Sequence, residues 1–269
     1  MTKDEARQDV IFGVVVSAYI ETAEPVGSGA ISKRSGLGLS SASIRNIMVD
    51  LEDRGLLAQP HTSAGRVPTD KGYRYYVDRL MKPEELPANE KTWIVREIGK
   101  VGSIEALADR VSKVISTLTE NTGMIYIKNL RRVSFLTHLL EELAQAQRMA
   151  DFLEEEPELF IEGIFRMFEQ PEFRDAQRMR DLLKFFDDKE GFLDIFAGDL
   201  EHEGVQVHIG SENPVDELED VSLVVKDYYF RNAPIGGIAV VGPTRMRYAK
   251  VISVVDFVAD TVSEAVNRY

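Results

Sequence analysis

The sequence has no cysteine, one tryptophan and only four histidines. Without thiols there can be no disulfide, no thiolate zinc site and no sulfur nucleophile. His61, His138, His202 and His208 do not make a ligand cluster. His202 and His208 straddle an expected strand with Glu201 and Glu203 nearby, but no second group matches their spacing. Also missing are a serine nucleophile elbow, a phosphate-cradling glycine turn and a carboxylate pair set for acid–base work. Gly236-Gly237 and Gly242 fall within and just beyond an apolar strand, not at a strand-to-helix turn. We therefore expect no enzyme: no catalytic residue, no metal, no cofactor. No apolar run approaches the ~18 residues that span a bilayer. Met1 is followed by Thr2-Lys3-Asp4-Glu5, which is not a secretory leader. These features predict a cytoplasmic protein without a membrane partner.

What is present suits two ordinary domains, with 269 residues, 44% hydrophobic and 29% charged. The net charge of −13 argues against nucleic acid until its distribution is considered. Residues 1–82 hold 11 Lys/Arg against 10 Asp/Glu, whereas residues 83–269 hold 21 against 35. Between Val26 and Leu80 the balance is 8 against 5. A locally basic head on an acidic body is compatible with DNA, because phosphate contact depends on the local field.

In the head, periodicity predicts a first helix over 4–22, with Val10, Ile11, Val14, Val15, Ala18 and Tyr19 on one face. Glu24-Pro25-Val26-Gly27 breaks it, and a short helix follows from Ser28, read as its cap, to Ser35. After the Gly36-Leu37-Gly38-Leu39 turn, Ser40 caps a third helix that runs to about Gly55. Its buried side is Ile44, Ile47, Met48 and Leu51; its polar front is Ser41, Ser43, Arg45 and Asn46. Two short strands, 56–59 and 66–68, flank a polar loop, and Thr69 caps a fourth helix through Leu80. Three helices followed by a hairpin predict a winged helix-turn-helix.

Lys82-Pro83-Glu84-Glu85-Leu86-Pro87 marks a domain boundary. The expected division is a DNA-binding domain over 1–82, a linker over 83–90 and a regulatory body over 91–269. In the body, helices are expected near 88–100 and at 103–120 with Ser103 as cap, then a strand at Met124–Ile127. A carboxylate-rich helix over 137–155 is stopped by Pro157. A strand or strand-to-helix junction at 159–164 precedes helices near 174–187 and 190–200. Strands at 204–209, 221–229 and 235–241 and a last helix over 244–267 complete an α+β fold, an antiparallel sheet with helices packed on it.

The runs Tyr19-Ile20-Glu21-Thr22, Glu24-Pro25-Val26-Gly27-Ser28, Leu37-Gly38-Leu39-Ser40, Ser43-Ile44-Arg45-Asn46 and Leu51-Glu52 resemble the heat-inducible transcription repressor family HrcA. So does the stretch from Gln59 to Arg74, QPHTSAGRVPTDKGYR. The likeness resumes at Phe160-Ile161-Glu162-Gly163, Glu169-Gln170-Pro171-Glu172-Phe173 and Ile209-Gly210-Ser211-Glu212-Asn213, and closes with Gly242-Pro243-Thr244-Arg245-Met246-Arg247-Tyr248. It implies an N-terminal winged helix and a GAF-like domain interrupted by an inserted dimerisation domain. It also implies a homodimer on an inverted-repeat operator in double-stranded DNA, repression of chaperone genes, and a GroEL-type chaperonin as partner. Residues 88–157 match poorly and the chain is short for the family, so the inserted domain is reduced or absent.

Within the third helix, Arg45 suits guanine O6/N7 and Asn46 suits adenine N6/N7, with Ser41 and Ser43 beside them. In the hairpin loop, His61, Thr62, Ser63 and Arg66 suit phosphate or minor-groove contact. Tyr73, Tyr75 and Tyr76 are expected to pack the fourth helix on the first. Two readings stay open for Glu212, Asn213, Thr244 and Arg245. These loops could form a small-ligand pocket, or Asn213 could hold a turn while Thr244 caps the last helix. Arg245 and Arg247, at a helix start, call for an acidic partner such as Glu212 or a neighbouring carboxylate. The expected function is sequence-specific repression released on stress. The alternative is a small-molecule-gated winged-helix regulator whose C-terminal domain senses a ligand.

Overall fold

The structure, a computed structural model, describes residues 2–99, 103–127, 158–187 and 204–268. Helix α1 (Lys3–Thr22) opens on a reciprocal cap: the Thr2 hydroxyl accepts from the Glu5 amide, and the Glu5 carboxylate accepts from the Thr2 amide. Helices α2 (Ser28–Arg34) and α3 (Ser41–Asp53) follow, and the Ser40 hydroxyl accepts from the Ser43 amide at 3.2 Å. Strands β1 (Leu57–Ala58) and β2 (Val67–Pro68) form an antiparallel hairpin. The segment before α2 is more than a helix breaker: the Val26 and Arg66 backbones exchange two hydrogen bonds of 2.9 Å and extend the hairpin. That approach requires Gly65, where a Cβ would stand 2.4–2.7 Å from the Pro25 and Val26 backbone. Thr69 caps α4 (Asp70–Tyr75), which widens into a π-helical turn over Tyr76–Leu80.

Residues 81–87 carry no regular structure, though the Glu84 amide donates to the Ala249 carbonyl at 3.0 Å. Helices α5 (Ala88–Ile98) and α6 (Ile104–Thr119) precede β3 (Thr122–Ile127). Ser103 caps α6 as expected. Then come β4 (Glu158–Glu162), α7 (Ile164–Phe168), α8 (Ala176–Asp187), β5 (Gln206–Ile209), β6 (Val221–Phe230), β7 (Ala233–Pro243) and α9 (Tyr248–Val266). The five strands form one antiparallel sheet in the order β4-β3-β7-β6-β5, so the chain is α+β.

Both faces of that sheet are covered. Ile125, Ile127, Val224, Ile238 and Val240 pack with α5, α6 and α9. Met124, Tyr126, Leu223, Val225 and Val241 point the other way, onto Met167, Phe173, Leu182 and Phe185. Double burial explains why 235–241 is almost wholly apolar and shows no alternation. β6 and β7 run past their expected ends to a two-residue turn at Arg231-Asn232, both at positive φ. Neither is glycine, which hides the turn in the sequence. The helices expected over 137–155 and 190–200, with His138 and His202, lie outside the described residues.

One apolar cluster fills the first four helices and continues without a break to α9, linking Ile11, Phe12, Ile44 and Leu51 to Tyr248, Val251 and Val262. Among the described residues no helix is long and apolar enough to cross a membrane.

Candidate nucleic-acid interface

Helix α3 turns Ile44, Met48 and Leu51 inward and leaves Ser41, Ser43, Arg45 and Asn46 exposed. Arg45 and Asn46 have no side-chain partner among the described residues, while the Ser43 hydroxyl meets that of Ser40 at 3.0 Å. Val49 lies on the same outer face, 41% exposed, and was not singled out as a site residue. The 3.6-residue period already puts it beside Arg45 and Asn46. An exposed valine there offers an apolar surface of the type that suits a thymine methyl.

The hairpin tip is a closed turn in which the Ala64 amide donates to the His61 carbonyl at 2.8 Å. The Gln59 side-chain amide braces it by donating to the Thr62 and Ala64 carbonyls at 3.0 and 3.1 Å. With the loop held by Gln59, the exposed His61, Thr62 and Ser63 side chains have no partner among the described residues. A groove of about 550 Å³ runs between Arg45 of α3, the tip residues Thr62 and Ser63, and Ser28 and Gly29 of α2. Gly27 takes the capping position of α2 expected for Ser28, and no side chain bonds to that cap. Ser28, Gly29 and Gln59 join the groove although the sequence offered no separate signal for them.

Arg66, expected to contact phosphate or the minor groove, also lines this groove and is paired within the chain. Its Nε and Nη2 both donate to Glu52 Oε2, at 2.9 and 2.8 Å, and its side chain is only 15% exposed. It ties the hairpin base to the end of α3.

Each of the two C-terminal loops is occupied by contacts within the chain. Asn213 Nδ2 lies 2.8–2.9 Å from the carbonyls of Gly210, Leu218 and Val221, so it holds its turn. Glu212 accepts from Arg74 Nε at 2.9 Å and from the Ile209 amide at 2.9 Å. The acidic partner of Arg245 is Glu172, assisted by Gln170, and not Glu212. Thr244 does not cap the last helix. Arg247 occupies that position, and the Thr244 carbonyl accepts from the Tyr248 hydroxyl at 2.6 Å. Tyr248 in turn meets Ser222 at 2.7 Å, and burial pushes its phenol pKa up. A polar cleft of about 660 Å³ lies alongside, bordered by Ile20, Asn121, Arg245 and Tyr248.

The tyrosines divide their work. Tyr75 packs edge-on against Phe12 of α1, with ring centroids 5.9 Å apart, and donates to Asp9 at 2.7 Å. The Tyr73 ring also meets that of Tyr248 of α9, 5.8 Å between centroids.

A family model described as the HrcA protein C-terminal domain matches residues 128–252. The heat-inducible transcription repressor HrcA of Geobacter sulfurreducens is 32% identical, covering 98% of this chain and 98% of that protein. The protein of the same name from Pelotomaculum thermopropionicum is 32% identical, covering 100% and 98%. These alignments run to 336 and 342 positions for a chain of 269 residues, so they include more than sixty positions at which this chain has no residue. A hypothetical protein whose crystal structure was solved at 2.2 Å shares the fold, with a TM-score of 0.71, 21% identity and coverage of 97% and 98%.

Proposed function

Because the chain belongs to the HrcA family, we propose that it is a transcriptional repressor of heat-shock genes and binds an inverted-repeat operator as a homodimer. In this reading residues 1–82 are a winged helix-turn-helix, with α3 as recognition helix and the β1–β2 hairpin as wing. Residues 83–90 are a linker and 91–269 a GAF-like body. The relatives' extra positions support an inserted dimerisation domain that is reduced or absent here. The observation that carries the reading is that Arg45 of α3 and Thr62 and Ser63 of the hairpin tip face outward without partners among the described residues and line one groove, with Asn46 and His61 exposed beside them.

Arg45 and Asn46 read base edges from the major groove, and Ser41, Ser43, His61, Thr62 and Ser63 contact backbone or minor groove. Repression is steric: two heads related by symmetry occupy two half-sites and exclude the transcription machinery. Stress lowers the population of the binding-competent dimer, and a GroEL-type chaperonin restores it. The protein works in the cytoplasm and is not an enzyme.

The test is affinity for an inverted-repeat duplex, enriched from random sequence by the full-length protein, against the same duplex scrambled, at one salt concentration. Preference for the inverted repeat by a factor of about 10³ or more is expected. Equal affinities would sink the sequence-specific reading.

A further inference from the structure

Helix α4 grips a turn that lies 138 residues further along the chain. Asp70 and Arg74, four residues apart, share one face of α4. Asp70 accepts from both the amide and the hydroxyl of Ser211 at 3.0 Å. Arg74 makes a two-pronged contact with Glu212 and donates to the Val207 carbonyl. Glu212 is held ready by the Ile209 amide. Gly210 has φ +53° and a Cβ there would stand 2.3–2.5 Å from the Asp70 carboxylate, so close approach is built into the turn.

A second contact lies at the end of α1. Arg245, 13% exposed, pairs with Glu172 through two nitrogens and donates Nη1 to the Ile20 carbonyl at 3.2 Å. Helix α1 has no basic residue in its own last turn, so the body supplies the cation its C-terminus favours. Between the two contacts the Tyr73 and Tyr248 rings meet. Residues 81–87 alone would leave the head free to rotate about a single tether. Two separated polar contacts and an aromatic one remove that freedom. All three are made through α4 and the end of α1, and the front of α3 and the hairpin tip stay exposed.

We propose that Asp70 and Arg74 with Ser211 and Glu212, together with Arg245 with Glu172 and Ile20, form a clasp that positions the reading head on the body. The clasp sets the direction in which each copy of α3 points, so that two heads meet two half-sites at once. These are positioning residues, and the proposal rests on the reading of the protein as a two-headed DNA binder. With the heads fixed, the second half-site is engaged at high effective concentration; with loose heads that gain is diluted.

The experiment uses the full chain, the enriched inverted-repeat duplex and the same duplex with one arm scrambled. Arg74→Gln and Arg245→Gln should each lower affinity for the two-arm duplex about tenfold, with one-arm affinity unchanged within about twofold. Arg74→Lys, which keeps the charge and loses the fork, should fall between. Should Arg74→Gln fail to fold, Asp70→Asn and Ser211→Ala make the same comparison. Equal losses on both duplexes would overturn the proposal, because Arg74 would then support the head itself or touch DNA. Unchanged affinity for both would overturn it as well. If the unsubstituted protein already fails to prefer two arms over one, the two-headed reading falls first and takes the clasp with it.

Discussion

The outer face of the head and its seam with the body are both polar, but they use polarity in opposite ways. On the outer face Arg45, Asn46, His61, Thr62 and Ser63 have no side-chain partners among the described residues. At the seam Arg74, Arg245, Glu172 and Glu212 are satisfied by one another and by backbone. Unpaired exposed donors stay available to an external partner, whereas paired, half-buried ones hold shape.

The strongest way to break this contrast is to remove the support of the open face while leaving its donors in place. Gly65→Val puts a side chain into the Pro25–Val26 backbone and should cost about 3 kcal/mol of stability, read by urea unfolding. DNA affinity should fall with it, although Arg45 and Asn46 are untouched. A variant of unchanged stability would show that the hairpin can shift at no cost.

Next in size is a direct test of the two arginines. Arg45→Ala should lose about 1–3 kcal/mol of operator affinity and relax specificity at one base pair, with the melting temperature unmoved. Arg66→Ala should do the reverse: about 1 kcal/mol of stability lost through Glu52, and an unchanged slope of log affinity against log salt. A slope reduced by about 1 in Arg66→Ala would mean that Arg66 leaves Glu52 for a phosphate when DNA binds.

The smallest effect concerns Tyr73, whose hydroxyl is buried with no hydrogen-bond partner among the described residues. Tyr73→Phe should leave stability unchanged or raise it by up to about 1 kcal/mol, as measured by thermal melting. A clear loss would indicate a bridging water at that hydroxyl.

Local chemistry made much of this legible in advance. Thr69, Ser40 and Ser103 cap the helices they were expected to cap, because a cap depends on residues three apart. The α3 face and the hairpin followed from periodicity and turn residues for the same reason. Contacts across the chain were not legible. Nothing near Arg66 announces Glu52 as its partner, and nothing near Arg74 announces Glu212. Arg245 was expected to need an acid, but the sequence could not choose Glu172 over Glu212. Tyr73 read as part of one stripe with Tyr75, because spacing cannot tell a helix packed on one side from a helix packed on two.

The unbroken apolar cluster from Ile11 to Val262 bears on the steepness of a thermal response. If head and body melt as one cooperative unit, the unfolding enthalpy of the described residues alone is on the order of 150 kcal/mol near 60 °C. An enthalpy of that size carries a two-state population from one-tenth to nine-tenths unfolded within about six degrees. A reading head with its own separate core would melt over a much broader interval. Scanning calorimetry distinguishes the two: a single narrow peak belongs to the shared core, and two resolved peaks to a head that melts alone.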